Sequence, residues 1–212
     1  MKVNKEISDL LLPAYSPCCG FNHNCRTMRW SPEMGHVPRG FTGACASYKD
    51  VRLILVCAEP GDPHSNERHN TSNEPIDIME SAYNYAYKCF EYGKDLFHRN
   101  VRSIMKSCWP ADSFRIHMEK VWITESVLCS ALKESGSVPT SICRYCADKY
   151  IKKQIELFKH AKVVALGSKA KNRLEKAEIR NFLPAFAAAP PGCNKKEAIR
   201  SWNEISVYLE RI

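Results

Sequence analysis

The sequence predicts an α/β fold, a three-layer α/β/α arrangement around a central, mostly parallel sheet of four strands. Three observations predict it. Residues 53–57 (Leu-Ile-Leu-Val-Cys) and 162–166 (Lys-Val-Val-Ala-Leu) are short apolar runs. Strands read this way when both faces are covered, as in a parallel sheet under helices. The runs stop abruptly, at Pro60-Gly61 and at Gly167. Segments with helical periodicity alternate with them, which requires right-handed crossover connections.

In chain order, Ile7 to Leu12 suggests a short helix stopped by Pro13. Cys18 to Cys25 is a loop by composition, and residues 26–50, with Pro32, Gly35, Pro38, Gly40 and Gly43, read as irregular. The central strand then runs into Ala58-Glu-Pro-Gly-Asp-Pro63. Residues 64–75 are polar and are expected to be mobile, either a lid or disordered. Residues 76–108 read as two helices divided at Gly93. Tyr83 and Tyr87 share a face of the first, and Leu96, Phe97, Val101, Ile104 and Met105 carry the period in the second. Lys120 to Thr124 is a second strand, with Glu125 leaving its end. Residues 146–160 form an amphipathic helix with Tyr150, Ile151, Ile155 and Phe158 on one side. Lys162 to Gly167 is the third strand, Ser168 to Lys176 a short basic helix, and Phe182 to Ala188 a weakly patterned fourth strand. Ala189 to Asn194 is a Pro/Gly loop. Glu197 to Arg211 closes the chain with Ala198, Trp202, Ile205 and Leu209 at helical spacing. No internal repeat divides residues 1–212, which read as one domain.

The chain has 212 residues, with 44% hydrophobic and 25% charged residues, ordinary for a globular protein. A formal charge of +8 favours an anionic partner, nucleic acid ahead of membrane. No apolar run approaches the roughly 18 residues of a membrane span, and Leu10-Leu-Leu12 is too short for a signal sequence. The expected location is the cytoplasm. Eleven cysteines there are not expected as disulfides. Some should ligate metal, and the rest behave as small buried hydrophobes.

Together these stretches resemble the uracil-DNA glycosylase superfamily, in its iron–sulfur branch. Ile54-Leu-Val-Cys-Ala-Glu-Pro-Gly61 resembles the first motif, a strand running into a catalytic loop. Val121-Trp-Ile-Thr-Glu-Ser-Val-Leu-Cys129 is similar to the family's Val-Tyr-Ile-Thr-Asn-x-x-Lys-Cys strand. Cys146-Ala-Asp-Lys-Tyr-Ile-Lys-Lys-Gln-Ile-Glu156 resembles the helix that opens on a cluster cysteine, and Val163-Val-Ala-Leu-Gly167 the strand after it. Ala189-Pro-Pro-Gly-Cys-Asn194 sits where the family carries (His/Asn)-Pro-Ser-(Pro/Gly)-x-(Asn/Ser). The resemblance covers most of the chain.

It implies a [4Fe–4S] cluster held by four cysteines. Cys25, Cys129 and Cys146 match most naturally. Cys18 is taken as the first ligand, with Cys19 beside it as the alternative, and Cys143 stands in reserve for Cys146. The family's tight Cys-x-x-Cys is absent. Zinc is the alternative metal, since thiolate ligation suits both. The cluster is expected to be structural.

The resemblance also implies hydrolysis of the bond between deoxyribose C1′ and a base, leaving an abasic site. A carboxylate near C1′ favours the oxocarbenium-like sugar and can activate water. Glu59 is the expected residue, with His64 and Asp62 as fallbacks; the iron–sulfur branch has its Glu one position earlier, where this chain has Ala58. Glu125 replaces the family's base-reading Asn. An ionised Glu only accepts hydrogen bonds, which suits the cytosine amine, whereas a buried, protonated one also donates to N3. Ala189 replaces the usual His or Asn donor and leaves volume. These departures point to a modified cytosine, such as glucosylated hydroxymethylcytosine of phage DNA, and to antiviral defence. The alternatives are repair of uracil or another deaminated base, and a catalytically inactive DNA-binding relative. A redox-sensing or metal-storage protein is a further class.

The base must leave the duplex. Phe97 is the expected stacking aromatic, with Tyr83, Tyr87 and Phe90 as competitors. Ala58, Pro60, Gly61, Ala189 and Asn194 complete the expected substrate pocket. Pro191, Gly192, Lys195 and Lys196 are expected against the DNA backbone, and Lys169, with Lys171 and Arg173, at a second phosphate site. The expected partner is DNA, with no membrane contact and the protein acting as a monomer.

Overall fold

The structure, a computed structural model, describes residues 2–23, 25–69, 74–134 and 136–211. These form a five-stranded sheet in the order β1-β3-β2-β4-β5. The strands are β1 (Thr42–Gly43), β2 (Leu53–Cys57), β3 (Val121–Glu125), β4 (Lys162–Leu166) and β5 (Leu183–Ala185). Four of them run parallel, and β1 pairs antiparallel with β3 at the edge. The expectation of four strands is thereby corrected to five. β1 escapes sequence reading because it is two residues long and its pairing is carried by backbone in a glycine-rich stretch.

Helices cover both faces of this sheet. They are α1 (Lys5–Leu11), α2 (Pro75–Tyr92), α3 (Leu96–Cys108), α4 (Phe114–Lys120), α5 (Thr140–Cys146), α6 (Lys152–Leu157), α7 (Ser168–Lys176) and α8 (Ala198–Glu210). A π-helical turn, Ala147–Ile151, joins α5 to α6, so the helical segment is continuous but locally widened. The break between α2 and α3 falls at Gly93, whose left-handed φ of 59° ends α2. Asp95 then caps α3 by accepting from the His98 amide at 3.0 Å. The seven-residue α4, capped by Ser113, was not expected.

Alternation along the strands divides the core. Ile54 and Val56 of β2 join Trp122, Val163 and Ala165 against the layer holding α1, α5 and α7. Leu53, Leu55 and Cys57 face the other way, with Val121, Ile123 and Val164, against α3, α4 and α8. Every residue of β2 and β3 is buried, as continuous apolar runs require. Trp122 anchors the first layer: its ring packs against Phe41 and Phe158 at 5.9 and 5.7 Å. Its indole N–H donates to Gln154 Oε1 at 2.8 Å, so the buried donor is satisfied.

Residues 64–69 differ from the expected mobile segment. Glu67 and His69 are buried, Glu67 beside Arg39 at 3.3 Å and His69 Nδ1 with Ser81 Oγ at 2.9 Å. The rest of that expectation, residues 70–73, lies outside the described residues.

The edge depends on one glycine. Gly43 has φ +110°, and a Cβ there would lie 2.0 Å from the Val121 carbonyl oxygen. Gly43→Ala should therefore cost about 3 kcal/mol through strain and lost β1–β3 pairing. Urea unfolding monitored by tryptophan fluorescence measures this, and an unchanged midpoint would show the edge to be dispensable.

Candidate functional site

β2 and β3 end side by side, Cys57 opposite Glu125 in register. Ligands in open α/β sheets bind beyond this carboxyl edge. Glu59 leaves β2 two residues further on. Its side chain is 6% exposed and meets two cations. Lys169 Nζ lies 2.6 Å from Oε1, and Arg173 Nη2 lies 2.6 Å from Oε2. The two pairs are unequal. Arg173 is 10% exposed and also donates through Nη1 to the Ala58 carbonyl at 2.6 Å and to Ser126 Oγ at 3.0 Å. Ser126 Oγ donates in turn to the same carbonyl at 2.6 Å. Lys169 is 44% exposed and also donates to the Gly136 carbonyl at 3.0 Å. Arg173 is thus a buried clamp on the strand end, while Lys169 stands at the solvent boundary.

Glu125 is fully enclosed. Burial pushes its carboxyl well above the ordinary carboxylate range, and the charge of Glu59 pushes it further; Arg173 and Arg39 pull the other way without prevailing. Burial and the neighbouring charge thus favour its protonated form. Its Oε2 has no hydrogen-bond partner among the described residues. Gly40 accommodates it: a Cβ there would lie 2.7 Å from Glu125 Cγ, and Gly40 has φ +83°.

The loop after Glu59 is tied down from three sides. Arg39 Nη2 donates to the Gly61 carbonyl at 2.5 Å, and Ser130 Oγ donates to the same oxygen at 3.0 Å. Asp62 pairs with Arg29 at 3.1 Å. Pro60 is buried and Gly61 exposed. Arg39 Nε also lies 3.3 Å from Glu67 Oε1. Burial opposes the Glu67 charge, but His69, Arg39 and the His64 amide hold its carboxyl below the ordinary range.

His64, half-buried, extends this network to α3. Its Nε2 lies 3.3 Å from Asp95 Oδ2, and Asp95 Oδ1 pairs with His98 Nδ1 at 2.8 Å. Burial works against the Asp95 charge, yet the side-chain and backbone N–H groups of His98, and then His64, hold it well below the usual carboxylate range. Asp95, Arg39, Ser126 and Glu67 are site residues that sequence reading missed. For Asp95 a signal existed, an Asp placed just before a helical apolar period.

Phe97 is half-buried on α3, 5.7 Å from Phe90 and 5.1 Å from His98 between ring centroids. Its competitors are structural. Tyr83 is buried and donates to the Gly43 carbonyl at 2.8 Å, Phe90 is in the core, and Tyr87 packs on Phe114 at 5.4 Å. The Ala189 loop is bound to α3 through Asn100 Nδ2, which donates to the Ala188 carbonyl at 2.8 Å. Ala189 and Gly192 are half-buried, and Pro191, Asn194, Lys195 and Lys196 are exposed. Pro190-Pro191 is a cis peptide.

The expected metal ligands converge elsewhere, under the layer of α1 and α5. Cys18, Cys25, Cys129 and Cys146 line one cavity of about 20 Å³, with Phe21, Met28, Tyr145 and Tyr150 among its other walls. Tyr150 Oη donates to Cys18 Sγ at 3.0 Å. Burial, reinforced by neighbouring thiols, pushes Cys25 up to about 11 and Cys146 up to about 12. Cys19 is exposed, its Sγ held by Tyr145 and Lys149, and Cys143 is outside the cavity lining. Among the described residues no group of three or more His, Cys, Asp or Glu side chains is arranged to hold a metal ion. No described helix is long and apolar enough to cross a membrane.

No protein-family model and no curated protein matches the chain.

Two outcomes follow from this geometry. Arg173→Met should destabilise by about 3 kcal/mol, because it leaves a buried carboxylate short of its partner. Lys169→Met should cost about 1 kcal/mol or less, since that pair is partly solvated. Denaturant titration of both variants checks the difference, and equal losses would remove the distinction between clamp and boundary residue. For Glu125, the folded pKa lies above the unfolded one, so the folded state holds more protons. Stability should fall as pH rises above the ordinary carboxyl value, by up to about 1.4 kcal/mol per pH unit. In Glu125→Gln that component of the pH dependence should vanish, as thermal melts between about pH 5 and about pH 8 would reveal.

Proposed function

We propose that the protein is a DNA glycosylase that releases an extruded base by hydrolysis. The observation that carries this reading is the joint burial of Glu59 and Glu125 at the carboxyl ends of neighbouring parallel strands, within electrostatic reach of one another. Paired carboxyl groups in unequal environments divide the work of charge stabilisation and hydrogen bonding. Glu59, paired with Lys169 and Arg173, supplies negative charge for the sugar cation. A DNA phosphate competes for the half-exposed Lys169, which relieves part of the neutralisation of Glu59. Glu125, neutral, donates one hydrogen bond to the base and accepts another. That pattern fits cytosine, with N3 accepting and N4 donating, and a modified cytosine is the favoured substrate because the small Ala189 stands where the resembled family carries His or Asn. The same neutral acid also pairs with O4 and N3–H of uracil, so a uracil repair activity is the second reading.

The water is held by Glu59 or by His64. The His64 alternative rests on one observation: Glu59 is engaged by two cations, whereas His64 is half-exposed and oriented by Asp95. Phe97 stacks on the extruded base, and Pro191, Gly192, Lys195 and Lys196 meet the backbone, with Asn194 and the loop 58–61 around the sugar.

Cys18, Cys25, Cys129 and Cys146 would hold a [4Fe–4S] cluster, which gives structural order to the loops it joins. Four thiols around one cavity suit it chemically. The cavity has room for about one water, so the thiols must move apart to seat a cluster. Zinc is the alternative.

Mass spectrometry of bases released from uracil-containing, hydroxymethylcytosine and glucosylated DNA tests the activity. Release of a free base is expected, with activity reduced at least about 100-fold in whichever of Glu59→Gln and His64→Ala removes the water-activating group. A metal-loaded protein that leaves all these substrates intact would overturn the reading. Iron content and visible absorbance test the cluster independently. Cys18→Ser and Cys146→Ser should lose the chromophore, while Cys19→Ser and Cys143→Ser keep it.

A further inference from the structure

The opposite pole of the sheet holds a second site. Arg52, Lys120 and Lys162 stand at the amino ends of β2, β3 and β4. They lie side by side: the Arg52 amide donates to the Lys120 carbonyl at 2.7 Å, and the Lys162 amide to the Arg52 carbonyl at 2.9 Å. Together with His160, Trp109 and Leu209 they line a cavity of about 330 Å³, the lower end of the size range of small-molecule sites.

Three cations on adjacent strands, which are about 4.8 Å apart, repel one another. Little in the fold offsets that. Asp112 lies 2.6 Å from Lys120 Nζ. Among the described residues no carboxylate pairs with Arg52 or Lys162; Arg52 donates to the Lys49 and Val51 carbonyls, and Lys162 lies over the Tyr208 ring at 5.3 Å. The lining residues include no acid. One wall is aromatic and aliphatic, Trp109 and Leu209, with Lys120 over the indole at 5.5 Å.

We propose that this cavity binds a nucleoside phosphate, the phosphate between Arg52 and Lys162 and the base against Trp109. The cations supply charge-assisted hydrogen bonds to the phosphate oxygens, and the indole offers a stacking surface. A small ligand fits better than a duplex because the site is concave and three of its six lining residues are cations. The proposal does not depend on the glycosylase reading, whose carboxyl groups sit at the other end of the same strands.

Calorimetric titration of the intact protein at low ionic strength tests it, using deoxycytidine monophosphate, inorganic phosphate, deoxycytidine and a short DNA duplex as probes. The monophosphate should bind in the submillimolar range, phosphate alone more weakly and the uncharged nucleoside not measurably. Lys162→Gln and Arg52→Gln should each weaken the monophosphate about tenfold, and Trp109→Leu should weaken it without affecting phosphate. Duplex affinity should be the same in all three variants. Should Trp109→Leu fail to fold, the two charge variants, whose side chains reach solvent, decide the matter. Absence of nucleotide binding, binding unchanged by Lys162→Gln and Arg52→Gln, or loss of duplex affinity in those variants would overturn the proposal; the last would make this groove a contact for DNA backbone.

Discussion

The Glu59–Arg173 pair is the constraint on which the site rests. A carboxylate taken out of water is tolerated only with a partner and satisfied hydrogen bonds. Arg173 provides both, since one guanidinium meets Glu59, the Ala58 carbonyl and Ser126. Through those contacts α7 is fixed to the end of β2, and the residue following β3 is fixed to both. Remove the guanidinium and three elements lose their common reference. The charge it balances also acts on Glu125, whose carboxyl is pushed up by burial first and by Glu59 second.

The second network, Arg39–Glu67–His64–Asp95, does for the loop what Arg173 does for the strand. Each member holds the next, from the Gly61 carbonyl to the cap of α3. A polar stretch that composition alone marks as mobile is made rigid because its charges are matched from distant parts of the chain. This is why binding loops cannot be judged by hydrophilicity: what counts is whether their polar groups have partners inside the fold.

Much of the architecture was legible. β2, β3 and β4 announced themselves as apolar runs with abrupt stops, and α7 and α8 as amphipathic periods, because a two-sided core leaves that imprint on local sequence. The division of α2 from α3 at Gly93 was readable for the same local reason. β1 was not, since two backbone-paired residues leave no pattern, and α4 was too short to show a period. At the site, Glu59 and Glu125 were recognisable from their place after strands. Their surroundings were not. Arg173 lies 114 positions beyond Glu59 and was expected with Lys169 and Lys171 at a phosphate site on the basic helix, whereas the fold buries it against Glu59. Cys18 and Cys146 line the cavity whereas Cys19 and Cys143 do not, a difference that local sequence does not carry.

The sheet's two borders carry a further consequence. One is β1, two residues long; the other is β5, three residues long with Pro184 at its middle. A border this brief, or interrupted by a residue without an N–H, offers a neighbouring chain almost no ladder to extend. The interior strands, rich in the apolar β-branched residues that drive fibril growth, are thereby shielded at both flanks. Strand addition at either border is accordingly disfavoured.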